Sequence, residues 1–271
     1  MNRTMQIIEN FLHHHSVTIY GTCSQDKVTG NRPGYGPSDM LPSAKSVLCV
    51  GIPFPKGIYQ HPKNLAMSYW WNSNLYFDMI DSLMTRLAAM IETAGHLAAP
   101  VNGCFPLDFN FAGEMMGYTN MIQMGVATKI GTKGKNGLLF HSVHGPRLIL
   151  GGIVTSAELP EITMPREEAT PCPETCSICR DNCPAGAIDS QGNIDIPRCW
   201  MHASKNVTNL PGRILFKGIV PILSALKLMK KETIFPKKMM QLTNLTYANT
   251  HGMFTCINCV SMCPYPAFDP A

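Results

Sequence analysis

Charge is scarce in this sequence, and long apolar runs are absent. Asp, Glu, Lys and Arg make up 15% of the 271 residues, against 45% hydrophobic ones. Such a chain can bury a sizeable core, and its length suits one larger domain with a smaller one beside it. No stretch reaches the roughly 20 consecutive apolar residues of a membrane-spanning helix. The nearest approach, residues 218–229 (GIVPILSALKLM), contains Pro221 and reads as a buried or surface-lying helix. The opening MNRTMQIIENFLHHHSV has neither a long apolar core nor a small-residue cleavage site. No secretory signal is read there, and a reducing, cytoplasmic setting is expected. The formal net charge is only +4, and the basic cluster from Lys227 through Lys231 to Lys237 and Lys238 reads as a solvated face. Neither feature calls for nucleic acid as a partner.

What is present mixes helical and strand periodicity. Ile7, Ile8, Phe11 and Leu12 recur at helical spacing in residues 5–15, predicting a short amphipathic helix. Its three consecutive histidines point in different directions, so they read as a solvated helix end rather than a metal site. After the Gly- and Pro-rich GNRPGYGPSDM, the run SVLCVGIPF at 46–54 predicts a buried strand. Residues 72–95 predict a helix, opened by Asn72, closed by Gly95, and carrying Tyr76, Ile80, Leu83, Leu87, Met90 and Ile91 on one face. Strands are predicted at 136–140 and 147–155, separated by the turn HGP. At AELPEITMPREEATP, 157–171, Pro and acidic residues replace the apolar rhythm, which predicts a boundary between units at 1–160 and 161–271. Further helices are predicted around 213–231 and 237–248.

Eight of the eleven cysteines crowd the last hundred residues: Cys172, Cys176, Cys179, Cys183, Cys199, Cys256, Cys259 and Cys263. Two groups end alike, CSICRDNCP and CINCVSMCP, both CxxCxxxCP. A disulfide framework would need an oxidising compartment. Zinc accepts CxxC pairs but has no use for the third cysteine at fixed spacing or for the proline. CxxCxxCxxxCP is the bacterial ferredoxin run, whose fourth cysteine reaches the other of two clusters. Two copies point to two [4Fe-4S] clusters. The arithmetic closes if Cys172, Cys176, Cys179 and Cys263 hold one, and Cys183, Cys199, Cys256 and Cys259 the other. Cys172 departs from the pattern, since three residues rather than two separate it from Cys176. Of the remaining cysteines, Cys49 reads as a small core residue within its strand, and no neighbouring base that would activate Cys104 is evident.

Several segments together resemble a known family. RPGYGPSDMLPSAKSVLCVGIPFP, the helix end IETAG, GKNGLLF, HGPRLILGGIVTS and two CxxCxxxCP runs flanking a lone cysteine are similar to epoxyqueuosine reductases and to the related cobalamin-dependent reductive dehalogenases. The resemblance covers most of the chain. It implies an α+β fold, with a nitroreductase-like N-terminal domain that holds a cobalamin and a C-terminal ferredoxin-like domain with the two clusters. A low-potential donor, a ferredoxin or flavodoxin, would feed them, and they would reduce the cobalt. TKIGTKGKN resembles the family's cobalamin-facing AGLGxxGKN, which implicates Gly131, Gly134, Lys135 and Asn136 in cofactor binding; Thr128 and Lys129 stand where the family has a small residue and a glycine. The family's acidic proton donor lies upstream in a DxxP context. Here FPLDFNFAGEMMGYTN offers Glu114, flanked by Asp108 and Tyr118, tyrosine being the donor in the dehalogenases.

Two functional expectations follow. One is a cobalamin-dependent iron-sulfur reductase of a small molecule or nucleoside. The other is an electron-transfer module that uses its clusters to reduce a partner, a corrinoid protein or another metalloenzyme, with Lys227 to Lys238 as the docking surface. A flavin in the N-terminal domain is the weaker third reading, because no phosphate-binding loop is evident. Many epoxyqueuosine reductases continue into helical repeats that help hold transfer RNA, whereas this sequence stops eight residues after Cys263. A transfer RNA substrate is therefore not expected.

Overall fold

The computed structural model describes residues 2–60, 65–103, 107–109, 115–117, 119–163, 172–204 and 256–264. Helix α1 (Arg3–His14) leads into β1 (Ile19–Ser24), a single turn α2 (Pro37–Met40), β2 (Ser46–Pro53) and the long α3 (Leu65–Thr93). There follow β3 (Ala98–Val101), the short pair β4 (Leu107–Phe109) and β5 (Met115–Gly117), α4 (Met121–Ala127), the hairpin β6 (Thr132–Lys133) and β7 (Leu139–Phe140), then β8 (Leu148–Thr155) and β9 (Ile162–Thr163). The cysteine-rich part contributes α5 (Ile178–Asp181), α6 (Ile196–Ser204) and α7 (Asn258–Ser261). The predicted helices around 213–231 and 237–248, with the basic cluster between them, lie outside the described residues. No helix among the described residues is long and apolar enough to cross a membrane.

The main sheet has the order β3-β8-β2-β1-β9, and every pairing in it is antiparallel. Both faces of its centre are apolar because both are covered. Along β2, Leu48 and Val50 turn to the layer formed by α1 and α3, while Val47 and Cys49 turn to the layer formed by α4 and the β6–β7 hairpin. Strand β8 alternates the same way, with Ile149 and Ile153 on the first face and Leu150 and Val154 on the second. The alternation is that of any pleated strand; burial on both sides gives the continuous apolar run of the sequence. β9 pairs with β1 through Gly21 and Thr22, so the sheet takes in residues just beyond the boundary expected after residue 160.

Three sequence expectations are refined. Helix α3 starts at Leu65 rather than at residue 72, and Met90 lies on its exposed face while Ile80, Leu83, Leu87 and Ile91 are buried. Residues 136–138 belong to the turn before β7, because Gly137 adopts a φ of 74° and donates to the carbonyl of Gly134. Helix α4 ends on Lys129 at φ 60°, with Ile130 N–H reaching back to Gly125 O at 3.0 Å. That left-handed closing position is ordinarily a glycine's.

The adjacent glycines Gly151 and Gly152 let both helical layers approach β8. A Cβ on Gly151 would lie 2.8 Å from the Ile80 side chain, whereas one on Gly152 would lie 2.7 Å from the backbone carbonyl of Leu48 and 2.9 Å from Met124. A side chain can yield and a paired strand cannot. Gly152→Ala is expected to destabilise by about 1–3 kcal/mol, and by more than Gly151→Ala; thermal unfolding of equally loaded proteins checks the order. Lys129→Gly is expected to stabilise by about 1 kcal/mol by removing left-handed strain, read as a higher unfolding midpoint.

Candidate iron-sulfur site

The two CxxCxxxCP runs fold into the same turn. Ser177, which precedes α5, has φ −125° and ψ 6°, and Ile257, which precedes α7, has φ −130° and ψ 12°. In the first run Asp181 N–H bonds Ser177 O at 2.9 Å and Cys183 N–H bonds Arg180 O at 3.0 Å. Their counterparts are Ser261 N–H to Ile257 O at 2.9 Å and Cys263 N–H to Val260 O at 3.2 Å. One helical turn thus carries the middle cysteine of each run, Cys179 or Cys259, and the closing cysteine follows it. The two turns meet where Asn258 Nδ2 donates to Asn182 O at 3.4 Å. Between them in sequence, Asp195 caps α6 by accepting from Arg198 N–H at 3.0 Å, which sets Cys199 on the first turn of that helix.

The thiols fall into electrostatically coupled sets. Burial pushes Cys259 up to about 12, and Cys199, Cys256, Cys179 and Cys183 add to the rise. Burial likewise pushes Cys199 up to about 11, followed by Cys256 and Cys183. Cys179 is raised by burial and then by Cys172 and Cys176. Cys259 is thus coupled to Cys199, Cys256, Cys179 and Cys183, Cys199 to Cys256 and Cys183, and Cys179 to Cys172 and Cys176. Every described cysteine is a free thiol. No three His, Cys, Asp or Glu side chains among the described residues converge where one metal ion could sit. A cubane asks for something else, thiolates spread round a cage. Ala187 N–H already donates to Cys183 Sγ at 3.3 Å, the kind of bond that tunes a cluster ligand.

The segment expected to face a cobalamin is engaged within the chain. Lys135 Nζ donates to the carbonyls of Pro173 at 2.8 Å and Cys176 at 3.0 Å, and also to that of Glu174. Buried Asn136 donates from Nδ2 to Cys259 O at 3.2 Å. At Gly131 the position of a Cβ is closed by Phe140 O at 2.6 Å, and at Gly134 by Asn136 Oδ1 at 2.8 Å. These glycines answer to close packing of their own hairpin. Of the expected proton donors, Asp108 sits on β4 opposite Met116; Glu114 and Tyr118, like Cys104, lie outside the described residues.

A second group of polar residues, not singled out from the sequence, lies beside the cysteine turns. Arg147, immediately before β8, is 5% exposed, and its Nη2 has no hydrogen-bond partner among the described residues. Burial lowers its pKa, opposed by Tyr59 and Cys263. Burial raises the Tyr59 phenol, with Tyr69 adding to the effect and Arg147 opposing it, and Cys259 also raises it. His144 is held below the usual imidazole range by burial, then by Arg147 and Lys56. Phe54, Tyr59, Tyr69 and Tyr76 wall this region with edge-on rings, the Phe54 centroid lying 5.6, 5.4 and 4.9 Å from the three tyrosines. The one sequence signal was an arginine opening an otherwise apolar strand run.

No protein-family model matches the chain. Among curated proteins it is 24% identical over 187 residues to an epoxyqueuosine reductase of Lactococcus garvieae and 27% identical over 164 residues to one of a Synechococcus. These matches take in 65% and 59% of this chain and 47% and 46% of the relatives, so it spans about half their length. In structure it resembles a selenomethionine-labelled epoxyqueuosine reductase with a TM-score of 0.57 and 14% identity, over 97% of this chain and 66% of that one. An epoxyqueuosine reductase solved with a transfer RNA stem loop gives a TM-score of 0.53 and 15% identity, over 78% and 60%. A catabolic reductive dehalogenase in complex with 3-bromo-4-hydroxybenzoic acid gives 0.54 and 12%, over 99% and 41%. At these identities the structural likeness establishes the fold, mixed helix and sheet of the epoxyqueuosine reductase kind. The relatives and neighbours are those of the family that the sequence resembles.

Cys23 and Cys49 are apart from the clustered thiols. Burial pushes them up to about 11 and about 12, leaving at most about one part in a thousand ionised at pH 8. An alkylating reagent at pH 8 is expected to leave both unmodified in the folded protein, as peptide mass mapping would read, with labelling appearing only on unfolding.

Proposed function

We propose that this chain is an iron-sulfur oxidoreductase of the epoxyqueuosine reductase type. Cys172, Cys176, Cys179 and Cys263 would hold one [4Fe-4S] cluster, and Cys183, Cys199, Cys256 and Cys259 the other, within a ferredoxin-like unit at 161–271 packed on a nitroreductase-like unit at 1–160. The observation that carries this reading is the duplicated cysteine turn, with thiols from distant segments in electrostatic reach of one another. Bound clusters supply one-electron steps at potentials set by burial and hydrogen bonds.

The chain's own residues suggest where the electrons would go. Tyr59 feels Cys259, and Arg147 feels Cys263, so this pair of side chains lies beside ligands of both proposed clusters. A buried guanidinium with a free N–H can hold an oxygen of an electron acceptor and stabilise negative charge that develops there. Tyr59 is kept protonated by burial. Glu114, Tyr118 and Asp108 remain donor candidates by resemblance. The acceptor would be a cobalamin and, beyond it, a small molecule or nucleoside. Lys135, Asn136, Gly131 and Gly134 do not provide an open seat for a cobalamin, so no step is assigned to it. A ferredoxin or flavodoxin would supply the electrons. A structural neighbour was solved with a transfer RNA stem loop; the basic cluster Lys227 to Lys238, which would bear on such a substrate here, lies outside the described residues.

The engagement of Lys135 and Asn136 also favours a second reading, an electron-transfer protein that reduces a partner and does no substrate chemistry. The two readings divide on one measurement, since the reductase takes up cobalamin under anaerobic reconstitution and the electron-transfer protein does not.

Reconstituted protein is expected to carry about eight irons in two cubanes, and Cys199→Ser to lose about half of them. Iron analysis with electron paramagnetic resonance checks both. Zinc, or no metal, in properly loaded protein would overturn the reading.

A further inference from the structure

The β6–β7 turn grips both cysteine runs, and it grips them unequally. Gly134 N–H bonds Leu138 O at 2.9 Å and Gly137 closes the turn at a positive φ, which leaves Lys135 and Asn136 at its tip. The tip is seated closely. A Cβ on Gly192 would come within 3.1 Å of the Lys135 backbone, and one on Gly137 within 2.5 Å of Ile194. From this seat Asn136 gives a neutral amide N–H to Cys259 O at 3.2 Å. Lys135 gives an ammonium to three carbonyls of the loop between Cys172 and Cys176.

That loop is the one with the extra residue. Its carbonyls turn inward on the ammonium from Pro173, Glu174 and Cys176, and an ammonium has three donors to satisfy them. The unusual spacing and the lysine thus form one built unit. A cluster gains one negative charge on reduction, so a fixed cation beside its ligand loop favours the reduced form and raises its potential; net charge and hydrogen bonding are among the levers that set such potentials.

We propose that Lys135 is a positioning residue for the first cysteine loop and that its charge makes the cluster of Cys172, Cys176, Cys179 and Cys263 the more easily reduced of the two. This rests on the two-cluster reading above. Electrons would then dwell on the Lys135 side, while the cluster nearer Tyr59, gripped only by a neutral amide, stays the stronger reductant.

The test is a redox titration of anaerobically reconstituted protein, followed by electron paramagnetic resonance, with iron counted in parallel. Lys135→Met is expected to shift one midpoint potential to lower values and leave the other in place, or to lose half the iron by releasing that loop. Lys135→Arg, which keeps the charge, should stay near the unchanged protein, and Lys135→Gln should follow Lys135→Met. Cys172→Ser should perturb the same signal that Lys135→Met moves. Full iron with both potentials unchanged in Lys135→Met, or equal shifts in both, overturns the proposal. Should Lys135→Met lose all its iron, the comparison of Lys135→Gln with Lys135→Arg decides, and identical potentials in those two overturn it. Absence of two clusters from the unsubstituted protein would instead defeat the underlying reading.

Discussion

Strand β8 is the member on which the rest depends. It pairs with β2 over its whole length, from Ser46 opposite Thr155 to Pro53 opposite Leu148. The contact between Gly152 and the Leu48 carbonyl leaves no room for a side chain. Through the same glycine Met124 approaches, and with it α4, whose left-handed end at Lys129 turns the chain into the β6–β7 hairpin. The hairpin tip holds the cysteine turns. At the other end of β8 stands Arg147. One strand therefore fixes both the support of the proposed clusters and the buried cation beside them.

The described residues of the cysteine-rich part do not enter the two apolar clusters of the sheet. Among the described residues its helices are one to two and a half turns long, below the length at which a helix stands alone in water. Raised thiol pKa values show several thiols held among others of their kind and away from water, an arrangement that favours neither free thiolates nor dense packing. Metal binding supplies the missing free energy in such units, because ligands that must lose protons and converge do so only when the metal repays it. The carbonyl contacts of Lys135 and Asn136 provide the remainder from the sheet side.

How much of this was legible in the sequence depended on whether the signal was local. The buried strand at 46–54 and the core face of α3 were readable because apolar periodicity reports burial directly. The duplicated cysteine spacing was readable because a one-turn helix between thiolates needs a fixed number of residues. Lys129 was read against a ligand-facing glycine, when the position is a helix terminus whose φ is invisible in a single sequence. The partners of Lys135 could not be read at all, since three backbone carbonyls leave no mark on residue identity. Arg147 and Tyr59 were hidden for a related reason: each sits beside an element defined by apolar neighbours, and only the fold brings them to Cys263 and Cys259.

The departure at Cys172 shows how a local irregularity can be a tertiary feature. Taken alone, a third residue between Cys172 and Cys176 merely enlarges a loop. In the fold three carbonyls of that loop, those of Pro173, Glu174 and Cys176, accept from one ammonium. Without those carbonyls the ammonium, half-buried at the seam, would carry an unmet desolvation cost. The enlarged loop and the lysine therefore belong to one contact, which no argument from spacing alone could reveal.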